Sequence, residues 1–148
     1  MSNSREFQRA FQELTEDMDC KRSQIPKILG IEYGVFTAIM DYGKIPKPVV
    51  LMRIADYFNV SIEYLLGRTE QEYFEKAEHP TTFHERFKQL RERYQMTEYA
   101  VAQRLHISTS YTTAWRKKNY IPSLDNLTVL SEIFKTSIDY LLGRTDDM

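Results

Sequence analysis

The chain has 148 residues, 42% hydrophobic and 13% aromatic, a content that supports packed cores and excludes a disordered or fibrous chain. No apolar run approaches a membrane span, the opening MSNSREFQRAFQEL lacks the apolar segment of a signal peptide, and the single Cys20 excludes an internal disulfide and a zinc site of the usual kind, so a cytoplasmic protein is expected. The net charge of −1 hides a split: ten Lys/Arg stand against thirteen Asp/Glu in residues 1–82, ten against eight in 83–148, and eight against three from His84 to Pro122.

Phe7, Phe11, Leu14 and Met18 fall at i, i+4, i+7 and i+11, which predicts a first helix with one buried stripe. Cys20 after it reads as a small apolar core residue. Pro26 would cost about 3 kcal/mol inside a helix, so the second helix is expected to start late, with Ser23 as N-cap and Pro26 in the first turn. Gly30-Ile31 supplies a turn. The third helix, Glu32 to about Tyr42, has Phe36 and Ile39 inward and Tyr33, Gly34, Val35, Thr37 and Ala38 outward. Pro48 fits the first position of a fourth helix with Leu51, Ile54, Ala55 and Phe58 inside, and Ser61 and Gly67 bound a fifth.

Residues 4–70 therefore read as a first unit and 71–81 as a linker. The linker's Tyr73, Phe74 and Ala77 share one side at helical spacing, which predicts a helical linker that His79-Pro80 ends. Thr82 with Glu85 forms a capping box that opens a second unit over 82–148. Phe83, Phe87, Leu90 and Tyr94 make the stripe of its first helix. Thr97 caps the next helix, whose Val101, Ala102 and Leu105 face inward, and His106 stands where a turn needs positive φ.

Ser108 caps a further helix reaching about Lys117, with Thr112 and Trp115 inward and Thr109, Ser110, Thr113 and Ala114 outward. A solvated face would normally carry Glu and Lys. Small hydroxyl residues instead let a backbone approach DNA base edges, so these four are the expected base-reading residues. Thr97, Tyr111, Arg116, Lys117, Lys118 and Asn119 are the expected backbone contacts.

Laid on itself at an offset of 76, the sequence aligns without a gap: Phe7 on Phe83, Leu29 on Leu105, Ile45-Pro46 on Ile121-Pro122, and Tyr64-Leu-Leu-Gly-Arg-Thr69 on Tyr140-Leu-Leu-Gly-Arg-Thr145. A period this long with matched apolar positions predicts two copies of one five-helix unit. The fold class expected is all-α.

The second unit resembles the Cro/C1-type, XRE-like helix-turn-helix family of phage repressors and bacterial transcriptional regulators. Met96-Thr97, Ala102, Leu105-His106-Ile107-Ser108, Trp115, Pro122-Ser123-Leu124 and the ending Ser137-Ile-Asp-Tyr-Leu-Leu-Gly143 carry the resemblance. It implies two tandem lambda-repressor-like units and double-stranded DNA as partner; one effective reading helix per chain, against paired half-sites, makes a homodimer the expected assembly. Two departures stand out. Glu98 occupies the place where the family commonly has a phosphate-gripping Gln. Arg116 follows Trp115 where the family has a Glu paired with an Arg of the first helix, the place of Arg91 here; Arg116 then turns outward to DNA, or Glu92 or another acid takes one of the two guanidinium groups.

The first unit carries Glu32 and Asp41 about its third helix and five basic against six acidic residues from Gln8 to Pro46. It is expected to contact DNA weakly, through Lys21, Arg22, Tyr33, Thr37 and Lys44. Three scattered His and no Gly-rich phosphate loop leave no catalytic or metal constellation, and neither a cofactor nor a small-molecule ligand can be inferred. Two functions follow: a sequence-specific DNA-binding regulator read mainly through the second unit, or a protein-interaction module that keeps the fold without reading DNA.

Overall fold

A computed structural model of the chain describes residues 3–148. They divide into two compact units, Met1–Phe74 and Glu75–Met148. The described residues are helical, with no strand beyond one isolated bridge between Asn3 and Lys44.

The first unit holds α1 (Arg5–Glu16), a 3-10 turn (Arg22–Gln24), α2 (Ile25–Leu29), α3 (Tyr33–Tyr42), α4 (Pro48–Phe58) and α5 (Ile62–Leu65). Ser4 and Ser61 cap α1 and α5 by accepting from Phe7 N and Tyr64 N. The buried stripe of α1 is Phe7, Phe11 and Thr15, whereas Leu14 and Met18 are only half-buried. Thr15 survives inside because its hydroxyl donates to Phe11 O at 2.8 Å, the i−4 back-bond open to a helical Thr. Phe36, Ile39, Leu51, Ile54, Ala55, Ile62 and Leu65 are buried in the same core, and Phe58 is half-buried.

As expected from Pro26, α2 starts late, but by another device. The backbone winds first into the 3-10 turn after Lys21, and Pro26 takes the second position of the α-helix. Ser23 is exposed within the turn and caps nothing there. Cys20 precedes it and is half-buried, not a core residue.

The second unit holds α6 (Phe83–Tyr94), α7 (Glu98–Leu105), α8 (Thr109–Lys117), α9 (Leu124–Phe134) and α10 (Ile138–Leu141). Its centre is aromatic. Trp115 stands edge-on to Phe83 and Phe87 at 5.8 and 5.6 Å between centroids, and Phe87 meets Phe134 at 6.3 Å. Tyr94 reaches Phe134 at 5.8 Å but stays 38% exposed, so the stripe of α6 ends at Leu90. Arg86 fills the place between Phe83 and Leu90, buried with its guanidinium 3.7 Å from the centroid of the Tyr140 ring. Thr82 caps α6 through Glu85 N at 3.2 Å.

The helix expected over residues 71–81 does not form. The stretch has no regular secondary structure, because its polar backbone finds partners in the C-terminal segment. Ala77 N donates to Arg144 O at 2.8 Å, Thr81 N to Gly143 O at 3.3 Å, and Thr145 Oγ1 to Glu75 O at 2.8 Å. Gly143 is required there: its φ is +74°, and a Cβ would stand 2.1 Å from Thr81 O. No helix among the described residues is long and apolar enough to cross a membrane.

Candidate nucleic-acid interface

The surface expected to meet DNA is built by α7, the turn after it and α8. Thr97 caps α7 by accepting from Ala100 N at 3.0 Å, and Val101, Ala102 and Leu105 anchor its inner face. His106 ends the helix in the left-handed region, with φ +57° and ψ 44°, as the turn demands. Two residues later Ser108 caps α8 by accepting from Ser110 N at 3.1 Å. Thr112 and Trp115 are the buried residues of α8. The Thr112 hydroxyl donates to Thr109 O at 2.9 Å, which lets a polar side chain sit in an apolar site.

Burial of Thr112 and Trp115 turns the opposite face outward. Thr109 and Ser110 are exposed, and Thr113 and Ala114 are half-buried. Together with Ser108, Lys117 and Lys118 they line one shallow depression of about 380 Å3. Tyr111, Arg116, Lys117, Lys118, Asn119 and Thr97 are all exposed. Asn119 reverses the chain with φ +57°, and the Lys118 ammonium lies 5.8 Å from the centroid of the Tyr120 ring.

Two neighbours escaped the sequence reading. Tyr120, 57% exposed, and Asn126 join His106, Tyr111 and Ala114 around a second depression of about 610 Å3. An aromatic directly after Lys118-Asn119 is the signal that points to Tyr120.

The second departure resolves in favour of another acid. Glu98 Oε2 accepts from Arg116 Nε at 2.9 Å and lies 3.7 Å from Arg91 Nη2. Arg116 is therefore engaged within the protein rather than turned freely outward. The positive charge of residues 84–122 is correspondingly less available than its count suggests. Arg86 is buried and donates to Thr145 O at 3.1 Å, and Arg91 and Arg116 share one carboxylate. Lys117 and Lys118 are the cations that line the depression.

The corresponding residues of the first unit form a different surface. Arg22 pairs with Asp41 at 3.8 Å across an exposed gap, and Thr37 donates to Gly34 O at 3.1 Å. Lys21, Tyr33 and Lys44 are exposed, Tyr33 by 67%. Glu32, at the N-cap of α3, makes no capping bond, so an acid sits where Ser108 caps α8.

Among known proteins, the profile of the helix-turn-helix family matches residues 87–141. The chain is also similar to the uncharacterized HTH-type transcriptional regulator YobD of Bacillus subtilis (strain 168), with 33% identity over 63 residues. That alignment covers 43% of this chain and 56% of the relative, so the chain spans little more than half of the relative's length. No solved structure gives a significant match. Capped α7, the His106 turn and the α8 that follows lie inside the matched stretch, and residues 87–141 are a helix-turn-helix domain.

Proposed function

We propose that the chain is a sequence-specific DNA-binding transcriptional regulator of the cytoplasm, with α8 as its reading helix and double-stranded DNA as its ligand. The observation that carries this reading is the face of α8. Thr109, Ser110 and Thr113 share one open depression with Lys117 and Lys118. Hydroxyls near a helix N-terminus reach base edges while lysines at its other end neutralise phosphates. Thr109, Ser110, Thr113 and Ala114 read bases, and Thr97, Tyr111, Lys117, Lys118 and Asn119 hold the backbone.

In this reading the chain is a tandem repeat. Support comes from α3, α4 and α5, which begin at 33, 48 and 62, while α8, α9 and α10 begin at 109, 124 and 138, a constant 76 positions on. The first copy serves mainly as scaffold and contact surface, its α3 bracketed by Glu32 and Asp41. One reading helix per chain favours a homodimer, which presents two of them to half-sites about 34 Å apart.

Selection on random duplex DNA tests the reading directly. The full chain is expected to enrich one sequence, and Lys117→Ala is expected to weaken binding to every duplex while lowering the salt slope by about one unit. Failure to enrich any sequence, with no retention of duplex at low salt, overturns it.

A further inference from the structure

The first unit has its own concave surface, between the turn after α2, the outer face of α3 and the start of α4. It is a groove of about 880 Å3. Val35, Ala38, Ile45 and Val50 give it an apolar lining, and Gly34 leaves its wall open, since a Cβ there would meet no atom within 4 Å. Lys44, Lys47 and Arg53 stand on its rim against the single acid Glu32. Neither Lys44 nor Lys47 takes part in an ion pair among the described residues. Arg53 spends one nitrogen on Gly30 O at 2.9 Å and remains exposed. An apolar trough with a cationic rim selects an acidic segment that carries an apolar ring.

The chain itself contains such a segment. Residues 70–78 hold Glu70, Glu72, Glu75 and Glu78 against one cation, Lys76. The stretch has no regular secondary structure, and Phe74 and Ala77 are its buried residues: Phe74 is 9% exposed, whereas Tyr73 is 70% exposed with Glu72 and Glu75 exposed beside it. Burial of Phe74 fixes the backbone and leaves the Tyr73 ring facing solvent between carboxylates. Holding the backbone in place beforehand reduces the ordering cost of docking the segment. The segment does not fill the groove of its own unit. None of residues 70–78 lines it.

We propose that the groove of the first unit receives the Tyr73 segment of a second copy of this chain, its ring on the apolar lining and its carboxylates against Lys44, Lys47 and Arg53. Each copy offers both surfaces, and the arrangement proposed is the reciprocal two-fold one, in which each groove holds the partner's segment, rather than an open head-to-tail chain. This gives the dimer proposed above its surface and is tested without DNA, so its failure leaves the reading by α8 standing.

The experiment is sedimentation velocity on the full chain at tens of micromolar in low salt. The chain is expected to sediment as a dimer of the 17.6 kDa protomer. Lys44→Glu with Lys47→Glu, and separately Glu70→Lys, Glu72→Lys and Glu75→Lys, are each expected to weaken self-association by about tenfold or more. Mixing the two charge-reversed proteins is expected to restore a dimer, because each groove then meets a segment of opposite sign. Tyr73→Ala weakens the dimer without altering charge. A monomeric wild-type chain overturns the proposal, as does a dimer indifferent to both reversals or a mixture that stays monomeric. If Lys44→Glu with Lys47→Glu leaves the mass unchanged and lowers duplex affinity, the groove contacts DNA and the proposal is wrong.

Discussion

One carboxylate ties three helices of the helix-turn-helix domain together: Glu98 Oε2 at the start of α7 is 2.9 Å from Arg116 Nε at the end of α8, with Arg91 Nη2 of α6 3.7 Å away. Arg91 also lies 5.1 Å from the centroid of the Phe87 ring, so the triad rests on the aromatic core. Glu98 is about one-fifth exposed and sits in the first turn of α7, where the helix dipole favours an acid. The geometry holds Arg116 against the protein and removes one positive charge from the exposed face.

Glu98→Gln is therefore expected to release Arg116. Duplex affinity should rise on all sequences and the salt slope should steepen by up to about one unit, as one more phosphate contact forms. Because the pair is partly solvated, the stability cost should be small, about 0.5–1 kcal/mol. Arg116→Ala placed in the Glu98→Gln background should cancel the gain. A gain that survives that second change would show that loss of the acid alone, and not release of Arg116, improves binding.

Thr109→Ala and Ser110→Ala should change which base is preferred more than how tightly the average duplex binds. Each loss of a base contact should alter discrimination at one position by about 1–3 kcal/mol. Repeating the selection with each variant checks this. A uniform loss of affinity with an unchanged preferred sequence would reassign these hydroxyls to the phosphate backbone.

His106→Gly should stabilise the second unit. The residue sits at φ +57°, where a side chain costs about 1–2 kcal/mol and glycine pays almost none of it. Added chain entropy in the unfolded state offsets part of the gain, leaving about 0.5–1 kcal/mol. Trp115 is the sole tryptophan and is buried in this unit, so denaturation followed by its fluorescence reads the shift in midpoint.

Gly143→Ala should act in the opposite direction, by about 2 kcal/mol or more, because a methyl group would collide with Thr81 O while φ stays at +74°. Amide exchange should then accelerate at Ala77 and Thr81, whose N–H groups donate to Arg144 O and Gly143 O. Unchanged protection at those amides would mean the C-terminal segment does not hold the 75–81 stretch.

Local chemistry made much of the protein legible in advance. The caps Ser61, Thr82, Thr97 and Ser108 could be named because a short hydroxyl before an apolar-periodic run satisfies an orphan N–H wherever it occurs. The inward and outward faces of α8 followed from spacing, since burying Trp115 fixes where Thr109 and Ser110 point. The turn at His106 followed because few residues tolerate its backbone. What tertiary structure decided lies in long-range partners. Residues 71–81 have helical periodicity, yet their backbone bonds to a segment about seventy positions away, and no window along the chain contains that partner. The count of basic residues likewise could not tell that Arg86 is buried beside Tyr140 or that Arg116 is held by Glu98, because charge is additive along a sequence while its availability to a ligand depends on the groups folding brings within a few ångströms.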